Sequence, residues 1–162
     1  TEKKQVHHTD KVRRTSWRIV CGGGYFAAGF NGTIGHSDVW NRIDAPNHYT
    51  FRLESEGAAQ QLSYLYQFFD ALPFWKMRPF EGVNGNAVVL AEKGKTYVAF
   101  FPHGGEASLD LSGAGQMEMK WFNPRTGRFG TSAMIRGGSI QKFRAPDKED
   151  WALLLKTGTR SE

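Results

Sequence analysis

Residues 116–129, "QMEMKWFNPRTGRF", carry the reading on which the fold turns. Met117, Met119 and Trp121 alternate with polar residues, the period-2 pattern of a half-buried strand. Trp121 and Phe122 suit a strand end, because aromatic rings pack well on a pleated surface. Pro124 then fixes φ for the second position of a turn, and Asn123 before it is pushed toward extended geometry. Gly127 can take positive φ, and Phe129 starts the return. The stretch is a strand followed by a tight turn.

Working outward, the same signature recurs. "NAVVLAE", "KTYVAFFP", "EASLDL", "QMEMKWF", "SIQKFRAP" and "DWALLLK" are short candidate strands between residues 86 and 156. Gly, Pro or Asn turns separate them, and "EKGK" marks a tight hairpin between the first two. Strands at this spacing indicate an antiparallel β-sandwich or barrel. Trp121, Phe143 and Trp151 are expected to fill its core, and Arg125 at the turn tip to be solvated. Residues 81–157 are expected to fold on their own.

Before residue 80 the period is different. From Thr9, a candidate N-cap, "DKVRRTSWRIV" places Val12, Ile19 and Val20 among good helix formers. In "SEGAAQQLSYLYQFFDAL", Ala58, Leu62, Leu65, Tyr66, Phe69 and Leu72 fall on one helical face, and Pro73 stops the helix. Between these helices "YFAAGF" reads as a short buried strand of the parallel type. "PFWKMRPFEGVNG" reads as a connector with Phe74 and Trp75 as aromatic anchors. One parallel-type strand between two helices has no sheet of its own. The first 80 residues therefore read as the closing part of a larger α/β domain.

Composition narrows the function classes. Hydrophobic residues at 40% and charged ones at 23% of 162 describe a globular chain rather than a disordered tail. Aromatics reach 14%, which favours ring-lined cores and ring-stacking sites. The net charge is +5, but the basic residues are scattered, with only Lys3-Lys4 and Arg13-Arg14 adjacent. A solvated basic surface is favoured over a phosphate-binding stripe, so neither nucleic acid nor membrane is expected as a partner. The single Cys21 leaves no intrachain disulfide and no cysteine-based zinc site. The histidines lack the spacing of a zinc hydrolase helix, so no metal and no cofactor are expected. "GGGYFAAG" follows a helix and lacks the lysine of a phosphate loop. Its glycines read as packing glycines.

"GTIGHSDVW", residues 33–40 with Gly32 ahead of them, is the more suggestive cluster. His36, Asp38 and Trp40 alternate, so an extended backbone sets all three on one side. A histidine, a carboxylate and an indole on one face suit a sugar, with polar groups for hydroxyls and a ring to stack on. Asp38 as a helix cap and Trp40 as a core plug is the alternative.

"KVRRTSWRIVCGGGYFAAGFNGTIGHSDVW", "EGAAQQLSYLYQFF", "LPFWKMRP", "YVAFFPHGGEASLDL", "KWFNPRTGRF" and "FRAPDKEDWALLL" together resemble the C-terminal part of apiosidase-like glycoside hydrolases. Those proteins carry a TIM-barrel catalytic domain followed by a β-sandwich catalogued as a "putative collagen-binding domain of a collagenase". The resemblance implies that residues 1–80 are the last βα elements of a (β/α)8 barrel and residues 81–162 the sandwich. It makes "GGGYFAAG" the eighth barrel strand and "FNGTIGHSDVW" a loop at the barrel's C-terminal face, where active sites sit. Asn31, His36, Asp38 and Trp40 are then candidate substrate-binding residues. The implied partners are a carbohydrate substrate and the remainder of the barrel, and the implied compartment is secreted or periplasmic. Glycosidases of this kind need two carboxylates across the scissile bond. By resemblance these end the fourth and seventh strands. Glu2 is the one candidate for the seventh, with no strand pattern ahead of it, so no catalytic residue is assigned. The rival classes are a stand-alone module binding polysaccharide or collagen, and a structural spacer. An exposed aromatic platform would favour binding, and fully buried tryptophans a spacer.

Overall fold

The computed structural model describes residues 9–25 and 53–158, the side chains of residues 53–56 excepted. Two helices, α1 (Thr9–Cys21) and α2 (Leu53–Asp70), precede a 3-10 turn at Phe74–Lys76. Nine strands follow: β1 (Arg78–Pro79), β2 (Val83–Gly85), β3 (Val88–Glu92), β4 (Thr96–Phe101) and β5 (Glu106–Asp110), then β6 (Gln116–Asn123), β7 (Arg128–Arg136), β8 (Ile140–Arg144) and β9 (Trp151–Thr157). They form an antiparallel six-stranded sheet in the order β1-β3-β4-β9-β6-β7 and a three-stranded sheet in the order β2-β5-β8. The two sheets make the expected sandwich. All six segments read as strands are strands, and the "EKGK" hairpin closes through Lys95 N donating to Glu92 O at 2.9 Å. The short β1 and β2 and the long β7 were not legible from the alternation.

The six-stranded sheet is covered on both faces. Tyr97, Ala99, Phe101, Met117, Leu153 and Leu155 point to the three-stranded sheet, where they meet Ala107, Leu109, Leu111 and Phe143. Their neighbours Val98, Phe100, Ala152 and Leu154 point the other way, into a second core built by α1 and α2. Every residue of β4 is therefore buried. Its continuous run of apolar residues is the signature of a strand buried on two sides. The described residues form three layers: helices, wide sheet and narrow sheet.

Trp17 anchors the helical layer. It lies against Phe68, Phe69, Phe100 and Phe122 with ring centroids 5.1–5.7 Å apart. Rings at such spacings add roughly 0.5–1.5 kcal/mol per pair beyond area burial. The face of α1 that is buried is set by Arg13, Ser16, Trp17 and Cys21, and Val12, Ile19 and Val20 are half-buried at its flanks. On α2 the expected face holds at Ala58, Leu65 and Phe69, and Leu72 continues it in the turn beyond the helix, but Tyr66 is 68% exposed and Phe68 takes the buried place. Positions 65, 68, 69 and 72 follow the i, i+3, i+4, i+7 rows, and position 66 turns away from them.

The hairpin of residues 121–129 is part of this layer. Gly127 has φ +69, as the turn reading requires, and its N–H donates to Asn123 O at 2.9 Å. Between Lys120 and Phe122 the pairing with β7 slips by one residue. A one-residue slip turns a strand's side chains to the opposite face. Phe129 accordingly joins Phe122 and Phe68, at 4.8 and 5.7 Å, on the helical side. The hairpin is a surface shaped to dock α2.

Candidate functional site

Asn31, His36, Asp38 and Trp40 lie outside the described residues, as does "FAAGF" of the expected buried strand. What is described is how the chain on either side of them is held. At its C-terminal end α1 closes with Gly22 N donating to Arg18 O, Gly23 N to Val20 O and Gly24 N to Ile19 O. Gly23 has φ +79, and a Cβ there would sit 2.7 Å from the Pro79 ring. Gly22, Gly23 and Gly24 are thus an αL helix stop and a close approach to β1, as the packing reading expects of them, while Gly29 lies outside the described residues.

At the other end of α1, Arg13 is 1% exposed and forms a two-pronged pair with Asp150, itself 0% exposed. Its Nε donates to Asp150 Oδ2 and its Nη2 to Oδ1, both at 2.7 Å. Nη1 donates to Asp10 Oδ1 and to Gln61 Oε1 of α2, again at 2.7 Å. Burial works against the charged guanidinium, but the bonds to Asp150 and Asp10 outweigh it and raise its pKa. One cation so ties α1, α2 and the start of β9, which is what a planar fork of donors does best. Arg14 adds a bond to Glu149 Oε2 at 2.7 Å.

The loop before β9 continues the network outward. Trp151 Nε1 donates to Asp147 Oδ1 at 2.8 Å, and this bond is the main reason the Asp147 carboxyl sits below the usual carboxylate range. Arg125 lies over the Trp151 ring, its Cζ 5.2 Å from the centroid, and faces Asp147 and Glu149 at 3.8 and 3.9 Å. The expectation of a solvated Arg125 is corrected: the side chain is half-buried, because the indole and two carboxylates offer it a better place than water. Trp151 packs edge-on against Trp121, and Trp121 against Phe101. Phe143 is buried, while Trp121 and Trp151 are half-buried at the sandwich end.

Chemically, this cluster is a joint. Asp147, Glu149 and Asp150 each accept from an N–H or face a cation, so they do not form an acid/base pair poised across a cleft. Among the described residues no group of His, Cys, Asp and Glu could hold a metal. An open depression flanks α1, lined among the described residues by Thr15, Arg18, Ile19 and Val88, none of them a carboxylate. Among the described residues no helix is long and apolar enough to cross a membrane.

The Phe74–Trp75 connector differs from its expectation. Against the expectation of aromatic anchors, the rings are 39% and 61% exposed, while Leu72 and Met77 on either side are buried. The anchoring falls to the aliphatic neighbours, which complete the helix–sheet core. Arg13, Asp150 and Trp17 escaped sequence reasoning as a set, because nothing local links positions 137 residues apart.

Residues 81–156 match the family described as "Putative collagen-binding domain of a collagenase", just under half of the chain. No curated protein matches. A solved structure described as a glycoside hydrolase superposes with a TM-score of 0.76 at 15% identity, covering 99% of this chain and 39% of that one. A glycoside hydrolase family 5 protein from Bacteroides vulgatus ATCC 8482 gives 0.71 at 16% identity, covering 91% and 36%. The chain thus spans about two-fifths of the length of these structures or less. At such identities the likeness is one of fold.

Proposed function

We propose that this chain is the C-terminal portion of a glycoside hydrolase acting on polysaccharide or oligosaccharide. In this reading residues 1–80 are the last βα elements of a (β/α)8 barrel of the apiosidase-like kind. Residues 81–162 are its sandwich. Asn31, His36, Asp38 and Trp40 line the rim of a sugar pocket, and the catalytic carboxylates belong to the part of the barrel outside this chain. The protein is secreted or periplasmic, as its polymeric substrate requires.

One observation carries the reading. The helices and the sandwich together, over nearly the whole chain, share their fold with structures described as glycoside hydrolases that are more than twice as long. A sandwich likeness alone would leave the helices unexplained. Their glycine stop and buried Arg13 tie fix both the segment's entry and its flanking helix, as a pocket rim needs.

The test uses the intact parent protein. Trp40→Ala should weaken oligosaccharide binding by roughly 1–3 kcal/mol, the scale of a lost stacked ring, without lowering the melting temperature. Unchanged affinity would return Trp40 to a core-filling role. A coding sequence without a barrel ahead of Thr1 would overturn the reading altogether.

A further inference from the structure

The exposed Trp75 is the feature that neither the fold nor the joint uses. Trp17 is fully buried and Trp121 and Trp151 are half-buried, whereas Trp75 is 61% exposed. The exposure does not come from a loose backbone. Lys76 N donates to Pro73 O at 2.9 Å and Met77 N to Phe74 O at 3.0 Å. Arg78 Nη1 reaches back to the Trp75 and Met77 carbonyls at 3.0 and 2.7 Å. Buried Leu72 and Met77 fasten both ends of the turn. Phe74 stands edge-on to the indole, centroids 5.6 Å apart at 80°, and braces it without covering it.

We propose that this turn binds an acidic, carboxylate-bearing polysaccharide, with Trp75 stacked on a pyranose ring and Lys76 and Arg78 facing the carboxylates. The size of the feature selects the ligand class. A stable protein partner needs on the order of 800 Å² on each side with a continuous apolar centre. One braced indole between charged neighbours matches a single sugar ring. The charge selects among sugars. Lys76 and Arg78 are both exposed, Lys76 has no ion pair among the described residues, and the nearest carboxylates in the sequence, Asp70 and Glu81, stand at the two ends of the segment rather than between the two cations. The Arg78 guanidinium is already oriented by two carbonyls, so little side-chain freedom is lost when it meets an anion. The proposal does not depend on the reading of Asn31, His36, Asp38 and Trp40.

The experiment measures retardation of the full chain in cathodic native gels cast with carboxymethylcellulose or with hydroxyethylcellulose. These polymers share a glucan backbone and differ in charge. The chain should be retarded by the acidic polymer at least about tenfold more strongly, given two added charge contacts. Trp75→Ala should lose about tenfold in apparent affinity with an unchanged melting temperature, and Trp75→Tyr should restore part of it. Lys76→Ala should weaken binding where Lys93→Ala, an equal loss of charge elsewhere, should not. Absence of retardation overturns the proposal. So does equal retardation of Trp75→Ala and the parent chain, which would mean attraction by net charge alone. Equal retardation by the two polymers overturns the acidic ligand.

Discussion

Replacing Arg13 by Met tests whether the joint is the tie that the geometry describes. The substitution keeps an unbranched apolar stem and removes the guanidinium, leaving Asp150 fully buried. Among the described residues its remaining cation is Arg14, whose Nε is 3.4 Å from Oδ1. Breaking one side of a buried pair typically costs about 3–5 kcal/mol, and Arg14 brings the expectation to about 3 kcal/mol. Stabilities of such domains are about 5–15 kcal/mol, so the variant should stay folded but melt about 6–12 °C lower. The diagnostic is the double variant Arg13→Met, Asp150→Leu. A buried ion pair exchanged for apolar residues is often neutral, so the double should recover most of the loss. Urea titrations followed by tryptophan fluorescence supply the free energies. The Cys21 thiol, buried beside Trp17 with its pKa pushed up by desolvation, supplies an independent readout. It should be inert to a thiol reagent in the parent chain and react faster in Arg13→Met, where α1 undocks more often. A single-variant loss below about 1 kcal/mol, or a double variant as unstable as the two singles summed, would refute the tie.

Gly127→Ala should cost about 1–3 kcal/mol, because the new Cβ meets the Tyr64 ring at 2.6 Å on a backbone with φ +69; an unchanged melting temperature would show the hairpin is not docked on α2. Asp147→Asn should flatten the acid limb of stability: a carboxyl with a lowered folded pKa stabilises above its unfolded value of about 3.9 and loses that contribution as pH falls below it. Trp151 fluorescence between about pH 2 and 5 reads the loss, and an identical acid profile in parent and variant would sink the assignment. The chain by itself should leave aryl glycosides and plant-type polysaccharides at background turnover, since hydrolysis needs a protonated and an ionised carboxyl held across one bond; turnover abolished by Asp38→Asn would prove that wrong.

The parts of the fold that the sequence discloses are those whose periodicity survives burial. Met117, Met119 and Trp121 alternate because one side of β6 meets the sandwich core and the other carries Glu118 and Lys120. Asn123, Pro124 and Gly127 specify their turn locally. β7 was not legible because nearly all its residues are exposed, so no apolar rhythm marks it. Sequence separation hid the joint: Arg13 reads as a solvated helix cation until Asp150 is brought beside it. Tyr66 and Phe68 exchanged roles because both fit a face at the resolution of residue type, and the ring cluster around Trp17 decides between them. The candidate pocket residues lie outside the described part, so the structure adds the framing helices to them and no geometry of their own.

One signal for the helical layer is present in the sequence. "YVAFF" and "WALLL" are unbroken apolar runs in a half otherwise marked by alternation. A sandwich strand with a solvated outer face cannot afford such a run, because every second apolar residue would face water. The runs therefore require a cover over the outer face of β4 and β9, and α1 and α2 supply it. The change near residue 80 is a change of period, and one buried cluster crosses it. Cutting there would bare Leu90, Val98, Phe100, Phe122, Ala152 and Leu154 and leave Asp150 without Arg13. A patch of that kind normally marks an interaction surface, and here its partner is in the same chain. For the proposed hydrolase, the sandwich is then bolted to the barrel's last helices rather than tethered behind them. A ligand held at Trp75 would keep a fixed direction from α1 and α2, as a site on a flexible linker could not.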